Sequence, residues 1–130
     1  MIFVDTNLFV RYFLKDMLSQ FRQVEKLFSD GAKKKKNLFT STIVIFEIYW
    51  LFGSFYEKTK GEVVEILKKT FSLDFIELEE REILEKALNI FEVSSLDFED
   101  CYNVVYAEER GAKGFRTFDK KLERYLKKAR

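Results

Sequence analysis

The chain has 130 residues, and its 23 lysines and arginines nearly balance its 22 acidic residues, which leaves a net charge of +1 at pH 7. This balance excludes a globally basic nucleic-acid-binding surface, so any contact with nucleic acid must be local. Because there is no histidine and only one cysteine, Ser-His-Asp sites, Cys-His sites and internal disulfides are excluded. The lone cysteine fits a reducing, cytoplasmic setting, and we expect neither a membrane-spanning helix nor a secretory signal peptide.

The first predicted element is a short buried strand over residues 2–4, which ends at the polar triplet Asp5-Thr6-Asn7. Apolar residues at helical spacing then predict a helix over residues 8–14. Taken alone, Asp5 is best explained as the N-cap of that helix. It also lies at the carboxyl end of a strand, where open α/β sheets bind ligands, so it is a candidate for chemistry.

The second helix is predicted over residues 19–30, with Ser19 as its N-cap and Gly31 as its C-terminal stop. We interpret the lysine run at residues 33–36 as a solvated loop, with a phosphate-contacting patch as the alternative. A second short strand is predicted over residues 38–41.

The third helix, predicted over residues 43–56 with Ser41 or Thr42 as its cap, is apolar almost all round. Such a helix is deeply buried or faces another protein chain. Glu47 is its only charged residue, and a buried carboxylate must be protonated or have a cationic partner. A pair with lysine or arginine is the structural alternative. We favour a metal ligand, because the second-turn position of Glu47 lets its side chain point toward the carboxyl edge of the sheet.

The middle of the chain predicts a helix over residues 62–71, a third strand over residues 75–76 and a helix over residues 79–91. Asp74 precedes this third strand. It therefore lies at the opposite edge of a parallel sheet, and we assign it no chemistry.

Two further aspartates are associated with the last elements. Asp97 is interpreted as the N-cap of a helix whose first turn contains Asp100. The amides and dipole of that turn favour an anion, so we expect Asp100 to be ionised and available to a cation. A fourth strand is predicted over residues 115–118, and Asp119 after it repeats the arrangement of Asp5, although an N-cap before the last helix would also explain it.

Strands that alternate with helices predict one α/β domain over residues 1–130, a Rossmann-like three-layer α/β/α sandwich with a short, mostly parallel central sheet. If the first and fourth strands are neighbours, one crevice is lined by four carboxylates: Asp5, Glu47, Asp100 and Asp119. Their repulsion would raise their pKa values, and Mg²⁺ or Mn²⁺ would remove that cost. The ion would activate a water for attack on a phosphodiester. Thr6, Asn7 and Thr117 would hold ligands or metal-bound waters by hydrogen bonds.

Four motifs occur in order along nearly the whole chain: Asp5-Thr6-Asn7 after an apolar strand, Glu47 in an apolar helix, Phe98-Glu99-Asp100-Cys101, and Thr117-Phe118-Asp119. Together they resemble the PIN domain family, and the length and order resemble the small VapC-type toxins of toxin–antitoxin pairs. Cys101 stands where alanine is more usual in the family, and we expect little consequence.

The resemblance implies a Mg²⁺- or Mn²⁺-dependent endoribonuclease that acts on single-stranded RNA, forms a homodimer and is neutralised by a small antitoxin protein. It implies a catalytic, metal-binding role for the family's four acidic positions, Asp5, Glu47, Asp100 and Asp119. Asp97 joins Thr6, Asn7 and Thr117 among the supporting residues.

The chain is rich in aromatic residues, with 15 phenylalanines, six tyrosines and one tryptophan, more than a small core easily buries. Those near the first helices are candidates for an antitoxin groove: Tyr12, Phe13, Phe21 and Phe28. A second set is a candidate dimer face: Tyr49, Trp50, Phe55 and Tyr56. Core burial is the better explanation for any one of them. Arg11 is a candidate phosphate contact, and a solvated arginine is an equal alternative.

Three other functions remain open. A phosphoryl-transferring hydrolase would use Asp5 as nucleophile, but such enzymes usually carry a second aspartate two residues later, where this chain has Asn7. A non-toxin PIN-type nuclease in RNA processing would share every motif. A catalytically silent interaction module would keep the fold without a working site, and the intact acidic set argues against it.

Overall fold

The computed structural model describes residues 1–129, and the chain divides into an amino-terminal unit, Met1–Arg81, and a carboxy-terminal unit, Glu82–Arg130. The elements of the amino-terminal unit are β1 (Ile2–Phe3), α1 (Thr6–Leu14), α2 (Leu18–Ala32), β2 (Leu38–Thr40), α3 (Thr42–Trp50), a π-helical turn (Leu51–Phe55), α4 (Lys60–Ser72) and β3 (Ile76–Leu78). The remaining helices are α5 (Arg81–Val93), α6 (Phe98–Glu109) and α7 (Lys120–Lys128).

The three strands form one sheet in the order β1-β2-β3, and both strand pairs are parallel. Leu38 of the central strand is in register with Ile2 on one side and with Ile76 on the other. Parallel strands require crossover connections, which the intervening helices supply. The predicted α/β class with a parallel sheet is therefore confirmed.

Helices α1 and α3 both begin where a strand ends. Asp5 caps α1, because its side chain accepts a hydrogen bond from the backbone N–H of Thr6. Ser41 caps α3 by accepting from the backbone N–H of Val44 at 3.3 Å. Since β1 and β2 are parallel, both helix N-termini lie at the same edge of the sheet.

Gly31 lies inside α2, which continues to Ala32. A Cβ atom at this position would lie 2.6 Å from Leu38 Cδ1 and 3.0 Å from Phe75 Cδ2. The prediction that Gly31 ends the helix was wrong, because the helix continues past it. Glycine at this position instead lets the helix approach the side chain of Leu38 closely. Helix α2 also begins earlier than predicted, at Leu18.

The apolar third helix is buried on one side only. Val44, Ile45 and Ile48 are buried, whereas Ile43 is 71% and Trp50 57% exposed. The regular helix gives way to the π-helical turn after Trp50. Of the two alternatives for this helix, deep burial is therefore wrong for its exposed side, and a face toward another protein chain stays a prediction.

The predicted fourth strand is absent from the described residues, and the segment before α7 has no regular structure. Phe118 is fully exposed, and the Thr117 hydroxyl accepts a hydrogen bond from the backbone N–H of Asp119 at 3.0 Å. This local hydrogen bond prepares the start of α7 rather than a strand. Within residues 1–129, every helix is too short or too polar to cross a bilayer.

Candidate active site

A buried threonine joins two of the predicted site carboxylates. The backbone N–H of Thr6 donates to Asp5 Oδ1 at 2.8 Å, and its hydroxyl donates to Glu47 Oε1 at 3.0 Å. Thr6 is only 4% exposed, whereas Asp5 and Glu47 are both exposed. The threonine thus holds two solvent-facing carboxylates, 41 residues apart in the chain, at the carboxyl end of β1.

The sheet explains why these two residues meet. The hydroxyl of Thr40, at the end of β2, donates to the carbonyl oxygen of Val4 at 2.8 Å, which ties the ends of the first two strands together. Helix α3 begins two residues later and carries Glu47 on its second turn. The expectation that Glu47 is buried was wrong, because its side chain is exposed.

Sequence reasoning missed a second hydrogen bond at this edge. The Thr42 hydroxyl donates to Glu80 Oε1 at 2.6 Å, whereas the sequence suggests only a helix cap for Thr42. The polar residues that end β2 were the only signal in the sequence. Asp74 precedes β3, at the amino edge of the sheet, as expected.

The carboxy-terminal unit holds the other predicted carboxylates. Asp97 is the N-cap residue of α6, without a side-chain capping bond, and Asp100 follows in the first turn. Asp119 caps α7, accepting from the backbone N–H of Leu122 at 3.0 Å. The N-cap position predicted for Asp97 is therefore confirmed, and so is the capping alternative for Asp119.

Electrostatics connects these aspartates. Burial raises the pKa of Asp100 above its ordinary value, and the charges of Asp97, Asp119 and Glu99 raise it further, against the opposing charge of Lys121. The helix dipole alone predicts that Asp100 is ionised, but that expectation left out the burial of Asp100 and the negative charges beside it. A cation near Asp100 would relieve this repulsion.

The donor chemistry fits a hard divalent cation. The candidate ligands offer only oxygen, which Mg²⁺ and Mn²⁺ prefer. Asp5 and Glu47 are solvent-accessible, and Asp100 lies among negative charges. Among residues 1–129, no three acidic, histidine or cysteine side chains are grouped closely enough to hold a metal ion together.

The basic residues singled out in the sequence lie elsewhere or already have partners. The lysines at residues 33–36 precede β2 and so lie at the amino edge of the sheet, away from Asp5. The Arg11 guanidinium donates to both carboxylate oxygens of Asp16 at 2.9 Å and to the Tyr56 hydroxyl at 3.3 Å. Arg11 is thus a fixed side chain rather than a freely solvated one.

The predicted aromatic groove is partly core and partly surface. Phe28 is buried, and its ring centroid lies 4.9 Å from that of Tyr12. Tyr12, Phe13 and Phe21 are half-buried and line an open groove of about 370 Å³ together with Lys15. In the other aromatic set, Trp50 and Phe55 are 57% and 67% exposed.

The PIN domain family model matches residues 2–128 and so spans both units. No curated protein and no solved structure gives a significant match. PIN domains form a superfamily of nucleases that generally use divalent metal ions. From the match over nearly its whole length, the chain belongs to the PIN domain family.

Proposed function

We propose that this protein is a Mg²⁺- or Mn²⁺-dependent endoribonuclease that cleaves single-stranded RNA. The observation that carries the proposal is the pair of exposed carboxylates, Asp5 and Glu47, joined through buried Thr6 at the carboxyl end of β1. In a member of a nuclease superfamily, such a pair offers the oxygen ligands that a divalent ion requires. We also propose that the protein acts in the cytoplasm.

We assign the ion to the four carboxylates of the family pattern, Asp5, Glu47, Asp100 and Asp119. When bound, the ion supplies charge stabilisation for the phosphodiester and lowers the pKa of a water nucleophile. The supporting residues of the chain orient the ligands and the waters around the ion. Thr6 orients Glu47 through its hydroxyl, and Asn7, Asp97 and Thr117 are assigned to hold ligands or waters around them.

We further propose a VapC-type toxin that acts as one PIN domain over residues 1–130, as a homodimer neutralised by a small antitoxin. The groove lined by Tyr12, Phe13 and Phe21 supports a protein partner of this kind. The exposed rings of Trp50 and Phe55 support a self-association face.

The central experiment measures cleavage of a labelled single-stranded RNA with Mn²⁺ or Mg²⁺. We expect Asp5→Asn to lower the rate by about 10²–10³-fold, the loss that follows removal of a key electrostatic group from an active site. Asp74→Asn is the matched control, because it removes an exposed carboxylate from the opposite edge of the sheet. Cleavage that continues unchanged in a chelator would contradict the proposal.

Two measurements separate the alternatives. Calorimetric titration with Mn²⁺ should show specific binding that Glu47→Gln weakens, whereas a silent interaction module should show none. Expression of the wild-type chain should arrest cell growth and Asp5→Asn should not. Cleavage of RNA without growth arrest would favour a nuclease of RNA processing over a toxin.

A further inference from the structure

We propose that the cleft between α1 and α2 binds a nucleobase of the substrate RNA, so that it selects the base next to the cleaved bond. The cleft has a volume of about 660 Å³, within the range of about 300–1,000 Å³ typical of small-molecule sites. The inference rests on the proposed ribonuclease function and adds a specificity site to it.

The lining chemistry matches a base rather than a phosphate. Three carboxamides line the cleft, those of Asn7, Gln20 and Gln23, and each offers both donors and an acceptor. Asparagine and glutamine side chains use this combination to pair with base edges. Leu8 and Val24 add an apolar surface against which the face of a base can pack.

The charge of the cleft lining also favours a nucleobase. Arg11 is the one charged residue among those described as lining it, and both of its terminal nitrogens are already held, by Asp16 and Tyr56. The guanidinium is therefore held in place by hydrogen bonds, and arginine guanidinium planes are groups on which bases stack. No lining carboxylate in the described residues repels a nucleotide.

The cleft begins close along the chain to the carboxylate pair, because Asn7, one of its lining residues, follows Asp5 and Thr6. Asn7 lies two residues after Asp5, in the first turn of α1, and Arg11 lies one turn further along the same helix face. The rise between them is about 6 Å. An RNA strand whose phosphodiester lies at Asp5 and Glu47 therefore has an adjacent base within reach of the cleft.

A protein segment fits the cleft less well than a base does. A helix in a groove binds through a row of apolar anchors, whereas here carboxamides interrupt the apolar lining on both helices. The groove beside Tyr12, Phe13 and Phe21 offers aromatic anchors instead. We therefore assign the cleft to RNA.

The test measures binding of four labelled homo-oligoribonucleotides, of A, C, G and U, by fluorescence anisotropy. The full chain carries Asp5→Asn throughout, so that the RNA stays intact. We expect this protein to prefer one base by about tenfold, and we expect the added pair Gln20→Leu and Gln23→Leu to remove the preference. Both glutamines are exposed on α2, and leucine is a good helix former, so the fold should persist.

Two further variants sharpen the test. Gln23→Glu keeps an acceptor but loses the amide donor, so it should change which base is preferred. Asn89→Leu removes an exposed carboxamide from α5, outside the cleft, and should leave the preference unchanged. Equal affinity for all four oligomers before the glutamines are changed, or an unchanged preference after, would overturn the proposal. The proposal would also be overturned if the glutamine variants changed only the binding of a protein partner and not the binding of RNA.

Cleavage by the chain with Asp5 restored separates the two proposals. If the double glutamine variant cleaves RNA with metal and keeps the same base preference, the proposed base subsite is refuted and the proposed nuclease function stands. Base-selective binding by a wild-type chain that cleaves no RNA would remove the nuclease and leave the subsite.

Discussion

Thr6 has the most clearly defined hydrogen bonds of the supporting residues of the candidate site. Its backbone and side chain hold two different carboxylates, Asp5 and Glu47, and it is buried while they are exposed. In the proposed metal site, a hydroxyl in this position would orient Glu47 as a ligand without competing for the ion. Thr6 would then control how well the proposed site binds its cation, although it is not itself one of the four assigned ligands.

We expect Thr6→Val to lower the affinity for Mn²⁺ by about tenfold, because Glu47 loses the hydrogen bond that orients it. Valine has nearly the same shape, so the loss of stability should stay near 1 kcal/mol. Isothermal titration calorimetry measures the affinity and thermal unfolding measures the stability. Thr6→Ser retains the hydroxyl and should bind like the wild type, whereas undiminished affinity in Thr6→Val would exclude an orienting role.

The raised pKa of Asp100 predicts that the stability of the fold depends on pH. Because its pKa is raised in the folded protein, the folded state binds this proton more tightly than the unfolded chain does. The ionised form therefore lowers the free energy of unfolding above the raised pKa, and the penalty disappears below the unfolded value of 3.8.

We accordingly expect Asp100→Asn to raise the melting temperature at pH 7 in the presence of a chelator. The gain should shrink as the pH falls toward 3.8. Differential scanning fluorimetry over this pH range measures the effect, with Asp74→Asn as the control for a simple change of net charge. A gain that is the same at every pH would show that the substitution acts through packing instead.

At the scale of elements, the fold depends on how closely helix α2 approaches β2. The contact of Gly31 with Leu38 leaves no room for a methyl group, so the helix carries glycine where alanine would be the better helix former. The distance between these elements therefore decides the residue, against local propensity.

We expect Gly31→Ala to destabilise the protein by about 1–3 kcal/mol, the cost of overpacking, reduced by about 1 kcal/mol of helix propensity. Gly61→Ala is the matched control, because its added Cβ would lie 4.0 Å from Thr59 Oγ1, an ordinary van der Waals distance. That substitution should be neutral or stabilising. Urea denaturation measures both, and equal effects at the two glycines would contradict the role of the close approach.

At the scale of the whole molecule, the exposed side of α3 and the π-helical turn carries the rings of Trp50 and Phe55. Large apolar side chains clustered at a surface mark interaction sites. In the proposed homodimer they are buried against a second copy of the chain.

We expect Trp50→Lys combined with Phe55→Lys to convert the dimer to a monomer of about 15.6 kDa, because unpaired charge at the centre of an interface is costly. Multi-angle light scattering measures the mass. Val93→Lys, at a residue that is 85% exposed at the end of α5, should leave the dimer intact. A wild-type chain that is monomeric at every concentration would refute the dimer.

The sequence by itself determined the order of the first three strands and the helices between them, the parallel sheet and the cap at Asp5, and it offered Ser41 and Asp119 as possible caps. Each of these depends on neighbouring residues: an apolar run makes a strand, and a short polar side chain after it accepts the first free helix N–H. The acidic residues of the family pattern could be recognised in the sequence because each lies in a short motif of neighbouring residues.

Only the tertiary structure decided the contacts between residues far apart in the chain. It determined that Glu47 is exposed and bound to Thr6, that Gly31 lies within a helix, and that residues 115–118 form no strand. It also placed Gln20 and Gln23 beside Asn7 in one cleft. Burial and hydrogen bonding at these positions depend on which distant side chain packs there, and local propensity carries no information about that partner.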